Sequence, residues 1–227
     1  KFKSMGKKIV ITGGLGYIGT ELCKIYSGYS WNDTITVIDN RFISERVNQL
    51  RKWNMNFVHG DILDKDLIKK HCTDADVIHH LAGITDVPRV KSESSNEKDE
   101  KIKAVAEEGT QNIINVMSDN CKIIVPSTHV VYEGIEKVKN DISEDEETNP
   151  VLSYGKSKDY NEKQLKSSGK KYVILRLGSV YGYSTDTARI DIMSNFFSKM
   201  ASQNGTLKLY AGGSCLLYTS DAADDWS

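Results

Sequence analysis

The chain has 227 residues, 39% of them apolar and 27% charged, which is enough for one sizeable core or one and a half domains. Its 30 Lys and Arg nearly cancel its 31 Asp and Glu, so charge gives no reason to expect nucleic acid or a membrane surface as partner. No run of about 18 apolar residues occurs, so no spanning helix is expected. Four widely spaced cysteines without a C-x-x-C pair (Cys23, Cys72, Cys121, Cys215) read as idle thiols of a cytoplasmic protein.

Lys1–Ser4 precede Met5, which reads as the native start, and no apolar stretch of a secretory signal follows. Apolar, β-branched runs short enough to be buried parallel strands fall at Lys8–Thr12, Thr34–Asp39, Asn56–His59, Val77–Leu81, Lys122–Pro126 and Tyr172–Leu177. Helical spacing marks Gly16–Tyr26, Ser44–Lys52, Lys65–His71, Lys98–Ser118 and Tyr154–Ser167 between them. The alternation predicts an α/β fold: a doubly wound parallel sheet of the Rossmann type, joined by right-handed crossovers. Ser92–Lys101 reads as a solvated loop and helix start, and Asp141–Thr148 as an acidic loop. Leu207–Ser214 suggests a strand and turn. Cys215–Ser227 has neither strand alternation nor a useful helical stripe and reads as non-native sequence at the broken end of a gene, which makes the chain a truncated product. The expected division is therefore 5–182 as the dinucleotide-binding domain, 183–214 as the start of a small substrate-binding domain, and 215–227 as a foreign tail.

The first strand ends at Thr12 in the turn Gly13-Gly14-Leu15-Gly16-Tyr17-Ile18-Gly19. Gly13 supplies backbone angles closed to other residues, Gly16 lets a pyrophosphate approach, and Gly19 lets helix and strand pack closely. The pyrophosphate would sit at a helix N-terminus, where free N–H groups and the macrodipole favour an anion. Asp39 ends the second strand about 20 residues after the last glycine, where a ribose-binding acid is expected. Its carboxylate would accept from a 2′-hydroxyl and repel a 2′-phosphate, which selects NAD over NADP. Arg41, two residues on, could instead serve a phosphate.

Tyr154 and Lys158 are four apart and so share a helix face. Tyrosine is a poor base at its ordinary pKa of about 10. A nearby ammonium and the positive nicotinamide of bound NAD would stabilise the phenolate. Y-x-x-x-K alone is common on helix surfaces. It gains weight here by following a strand that ends in Ser127-Thr128-His129, because ligands bind at the C-terminal strand ends of such sheets. His79-His80 and His71/Cys72 lack metal-ligand spacing and read as core, so no metal is expected. Trp31 and Trp53 read as packing residues.

Taken in order, these motifs resemble the extended short-chain dehydrogenases/reductases of the NAD-dependent epimerase/dehydratase family of nucleotide-sugar enzymes. The resemblance runs from about Lys7 to Ser214 through the glycine turn, Asp39-Asn40, Gly60-Asp61-Ile62, Leu81-Ala82-Gly83, Ser127-Thr128 through Val131-Tyr132, Tyr154/Lys158, and Leu175-Arg176 through Val180-Tyr181-Gly182. It implies cofactor contacts at Gly13, Gly16, Tyr17, Ile18, Gly19, Asp39 and Asn40. Asp61 and Ile62 would hold the adenine, and Leu81, Ala82 and Gly83 would line the path of the ribose and phosphates. Thr128 would hydrogen-bond the substrate oxygen, Tyr154 would be the catalytic base, and Lys158 would bind the nicotinamide ribose and assist Tyr154.

The implied activity is NAD-dependent epimerisation or oxidoreduction at a sugar hydroxyl carbon of a nucleotide sugar. The alternatives are a one-way dehydrogenase or reductase of another alcohol, and a non-catalytic NAD-binding sensor or scaffold. The family's 4,6-dehydratases carry an Asp-Glu pair after the catalytic Thr, where this chain has His129 and Val130, which disfavours dehydration. Ala106 stands where the family often has Asn, and Ser179 replaces a common Asn. A homodimer through a four-helix bundle would use Lys98–Ser118 and Tyr154–Ser167.

Overall fold

The structure, a computed structural model, describes residues 6–29, 32–85, 95–135, 139–184, 187, 189–190 and 192–207. The expected native start at Met5, the packing aromatic Trp31, Cys215 and the 215–227 tail lie outside these residues, as does all but the first residue of the expected strand at Leu207–Ser214.

In chain order the elements are β1 (Lys8–Thr12), α1 (Tyr17–Tyr29), β2 (Thr34–Asp39), α2 (Ser44–Lys52), β3 (Asn56–His59), α3 (Lys65–Cys72), β4 (Val77–His80), α4 (Asn96–Val116), β5 (Lys122–Thr128), α5 (Ser153–Ser167), β6 (Lys171–Leu177) and α6 (Met193–Ser202). One turn of 3-10 helix, His129–Tyr132, follows β5. The sheet order is β3-β2-β1-β4-β5-β6, and the ladders β1–β2, β1–β4, β2–β3 and β4–β5 are parallel. The chain winds outward from β1 in one direction and then from β4 in the other. The crevice of such a sheet therefore opens between β1 and β4, where the glycine turn lies.

Period-two alternation sorts the strand side chains onto two buried faces. Val10, Ile38, Ile78 and Ile123 pack with Ile68 of α3, Ile113 of α4 and Leu165 of α5. Ile9, Ile11, Ile35 and Val37 pack on the opposite face with Cys23 of α1 and with Val47 and Leu50 of α2, and Trp53 lies against that second cluster. Each fully buried aliphatic side chain stabilises the fold by about 1.5–3 kcal/mol.

Side-chain caps set several helix starts. Asp64 accepts from the backbone N–H groups of Asp66 and Leu67 at the head of α3. The Ser95 hydroxyl accepts from Lys98 N, so α4 begins at Asn96, two residues before the apolar pattern alone suggests. The 3-10 turn and α6 are additions to the elements expected from the sequence.

The chain divides into two compact units, Lys1–Arg176 and Leu177–Ser227. The first holds the sheet up to Arg176 and both core clusters. Within the second, Asn195 of α6 accepts from Gly182 N and donates to the Arg189 carbonyl.

Candidate functional site

The glycine turn is held on both sides. Gly13 has φ +70°, a left-handed conformation, and its N–H donates to Ile38 O at 2.7 Å. A Cβ on Gly13 would lie 2.6 Å from Ala82 N, and one on Gly19 would lie 2.6 Å from Gly13 O. The turn thus passes between β2 and the end of β4 with no room for side chains, and it delivers the chain into α1. Tyr17 and Ile18 start that helix, with Ile18 exposed.

Asp39 is buried at the end of β2, yet its carboxylate faces the turn. Oδ2 accepts from Leu15 N at 2.9 Å, and Oδ1 accepts from Arg41 N at 3.0 Å and Arg41 Nε at 3.2 Å. Next along, Asn40 donates to Asp61 Oδ2 at 3.0 Å, and Asp61 Oδ1 accepts from Leu63 N. The Ile62 side chain is buried against Gly109, and its carbonyl accepts from Asn112 of α4 at 3.1 Å. Asp39, Asn40, Asp61 and Ile62 are therefore brought together at the C-terminal ends of β2 and β3.

The β4 end is fixed through Thr12. Its carbonyl accepts from Leu81 N at 3.0 Å, and its hydroxyl accepts from Ala82 N at 3.3 Å. The same hydroxyl pairs with His80 Nδ1 at 2.8 Å, and His80 Nε2 pairs with the Thr110 hydroxyl at 3.0 Å. The Asn161 amide of α5 donates to Thr110 and to the Ala106 carbonyl. Burial and the charge of Lys158 bring the His80 pKa down to about 3, so the ring is neutral. His79 points to the opposite face, where Nε2 pairs with the Tyr26 hydroxyl at 2.7 Å. Both histidines are core residues, as their spacing implied. The sequence reading missed Asn112, Thr110 and Asn161 as organisers; the one signal was polar residues inside otherwise apolar helix stripes.

Lys158 reaches inward from α5. Its Nζ donates to Pro126 O at 3.0 Å and lies 5.9 Å from the centre of the Tyr154 ring. A Cβ on Gly83 would be 4.0 Å from Nζ. Burial pulls the Lys158 pKa down to about 8. Gly155 lets this helix approach the chain after β5, because a Cβ there would sit 3.2 Å from Val130 O and 3.0 Å from Pro150 Cβ. Glu133 completes the junction by accepting from Val151 N and Leu152 N just before α5. Thr128 is buried, and its hydroxyl accepts from Val130 N at 3.2 Å to cap the 3-10 turn. Tyr154, Lys158, Gly83 and the end of β5 thus lie together.

Behind them, Ser127 donates to Glu162 Oε1 at 2.5 Å, and Arg176 pairs with Glu162 Oε2 at 2.6 Å. Burial pushes the Glu162 carboxyl up, but the hydrogen bonds from Arg176 and Ser127 more than offset this and hold it below the usual range. Burial raises the thiols of Cys23 and Cys72 to about 12 and of Cys121 to about 11, and all three are free. Among the described residues no group of three His, Cys, Asp or Glu is placed to hold a metal ion, and no helix is long and apolar enough to cross a membrane.

The donor set fits a dinucleotide: a side-chain-free turn at a helix start, a carboxylate at the end of β2, a second acid after β3 and a buried ammonium beyond β5. Comparison with known proteins agrees. The family described as "NAD dependent epimerase/dehydratase family" matches residues 9–224. A UDP-glucose 4-epimerase of Lactobacillus helveticus is 31% identical over 188 residues, 79% of this chain and 53% of that protein. A dTDP-D-glucose 4,6-dehydratase of Dictyostelium discoideum is 26% identical over 197 residues, 78% of this chain and 44% of that one. The solved UDP-glucuronic acid 4-epimerase of Bacillus cereus, in complex with UDP-glucuronic acid and NAD, matches with TM-score 0.71 and 26% identity over 91% of this chain and 66% of that one. The chain spans about half the length of the curated relatives it matches. Epimerases and dehydratases both occur among them.

Proposed function

We propose that this chain, which belongs to the NAD dependent epimerase/dehydratase family, binds NAD across the C-terminal ends of its strands and serves epimerisation or oxidoreduction of a nucleotide sugar. The observation that carries the chemistry is the Lys158 ammonium, held by Pro126 O at 3.0 Å and 5.9 Å from the Tyr154 ring centre.

In this reading Gly13, Gly16, Tyr17, Ile18 and Gly19 receive the pyrophosphate, and Asp39 and Asn40 the adenosine ribose. Asp61 and Ile62 take the adenine, and Leu81, Ala82 and Gly83 line the path between. Lys158 donates to the nicotinamide ribose, and its charge lowers the free energy of the Tyr154 phenolate. Bound NAD supplies a hydride acceptor and, once reduced, a donor. Tyr154 Oη takes the proton from the hydroxyl oxygen on the reacting sugar carbon and returns it, while Thr128 donates to that oxygen and holds it in place. The protein's share of the work is to orient the sugar and move one proton.

The relatives do not separate epimerase from dehydratase. Val130, whose side chain packs on Gly155, has no ionisable group to give or take a proton, and this supports epimerisation over water elimination. UDP-, GDP- and dTDP-hexoses incubated with the protein and NAD should yield an epimer by NMR without NADH accumulating. NADH accumulating one-to-one with product would favour the one-way dehydrogenase, and a 4-keto-6-deoxy product would favour dehydration. If the full-length protein converts none of these sugars while NAD binds, the sensor reading stands.

A second copy docking through α4 and α5, as a four-helix bundle, is part of the proposal. Gln164 of α5 already donates to Glu107 O and Gln111 of α4, which makes the pair one rigid face, and Tyr160 is exposed on α5. Light scattering should give twice the chain mass, and Tyr160→Glu should halve it. Free, buried thiols suit the cytoplasm, and cell fractionation tests that placement.

A further inference from the structure

We infer that Ser127, Glu162 and Arg176 are positioning residues: they fix the end of β5 against α5, and so set Thr128 at the distance from Tyr154 that the proposed reaction needs. This rests on the nucleotide-sugar reading above and adds three residues to it. Tyr154, Lys158 and Glu162 follow at intervals of four, so one face of α5 carries the ring, the ammonium and a carboxylate in file. Consecutive residues of β5 meet that file. Lys158 Nζ donates to Pro126 O at 3.0 Å, and Ser127 Oγ donates to Glu162 Oε1 at 2.5 Å. Thr128 comes next along β5, so its place relative to α5 is set by both ties.

Arg176 aims the carboxylate. Its Nε donates to Oε1 at 3.0 Å and to Oε2 at 3.2 Å, and its Nη2 donates to Oε2 at 2.6 Å. The Glu162 side chain is 3% exposed and that of Arg176 12% exposed. Stability alone does not call for such a pair, since apolar residues of similar volume often hold a core as well or better. What the planar fork supplies is direction: it fixes where Oε1 points, and Oε1 is the atom that receives Ser127.

The remaining nitrogen of the fork reaches the other way. Arg176 Nη1 donates to Tyr132 Oη, in the turn after Thr128, and to Glu144 O at 2.8 Å. Tyr132 Oη in turn donates to Ser143 O at 3.2 Å. One guanidinium thus braces Thr128 from both sides in sequence, through Ser127 before it and Tyr132 after it.

The test compares wild type with Ser127→Ala, Ser127→Thr and Arg176→Lys, after thermal melts confirm folding. Ser127→Ala removes one tie and leaves the ion pair whole. Amide hydrogen exchange, read by mass spectrometry, should quicken about fivefold or more over 126–132 and stay unchanged over β1 and β2. NAD affinity should stay within about threefold, while kcat for a converted nucleotide sugar falls about tenfold with KM within about threefold. Ser127→Thr keeps the hydroxyl and should restore both exchange and kcat. Arg176→Lys keeps the charge but loses the fork, and should loosen 143–148 as well. A Ser127→Ala kcat equal to wild type, or a loosening shared by the whole chain, overturns the assignment. The local exchange difference in a protein whose wild type converts no sugar upholds the ties and counts against the nucleotide-sugar reading instead.

Discussion

The two halves of the candidate site are built by opposite means. Around β1 and β2 the surface is backbone, made by removing side chains until a turn fits between Ile38 and Ala82. Around β4, β5 and α5 it is side chains, each tied by hydrogen bonds to a neighbour far along the chain. A backbone cradle grips whatever phosphate chain enters. A network of oriented side chains determines what happens to the molecule bound there. Changes in one half should therefore separate from changes in the other.

The largest separation should come from Tyr154→Phe. Turnover of a converted nucleotide sugar should fall by about 10²–10⁴-fold, the usual weight of a general base, while NAD affinity stays within about threefold. A steady-state assay beside a binding titration measures both. Equal losses in the two would join the halves the account keeps apart.

Next is Glu162→Ala, which leaves Arg176 without its carboxylate partner behind the chemical half. Breaking a buried pair in this way destabilises by about 3–5 kcal/mol, read from urea unfolding. Gly19→Val strikes the cradle, where a Cβ would lie 2.6 Å from Gly13 O. Overpacking of this kind costs about 1–3 kcal/mol in stability, and NAD binding should be lost in the fraction that folds.

At neutral pH no effect is expected from His80, whose contribution is a slope at lower pH. Its folded pKa of about 3 lies below the ordinary 6.5, so the unfolded chain binds the extra proton between those values. Stability should be unaffected by this group above pH 6.5 and should fall as pH drops toward 3, by up to about 1.4 kcal/mol per unit. Chemical denaturation across that range should show the slope, and His80→Gln should flatten it.

These differences also explain what the sequence could reveal. The strands were legible because β-branched apolar runs buried on both faces leave few other readings, and β1, β2 and β3 fall where the pattern puts them. The glycine turn, Asp39 and the Tyr154/Lys158 pair were legible because each is a local spacing. The β4 brace was not: Thr12, His80, Thr110 and Asn161 meet across separations of 30 to 68 residues, and no local pattern encodes that. Arg41 is an intermediate case. Its spacing from Asp39 was visible, but its grip on both carboxylate oxygens is a property of the folded turn.

The central claim, a dinucleotide held on the glycine turn, is tested most directly by titrating the folded chain with NAD in a calorimeter, beside Gly19→Val. One NAD per chain with a dissociation constant of about 1 mM or tighter for wild type, and none for the folded variant, is the result this account predicts. Folded wild type that takes up no NAD, or a Gly19→Val chain that binds it equally well, would contradict it.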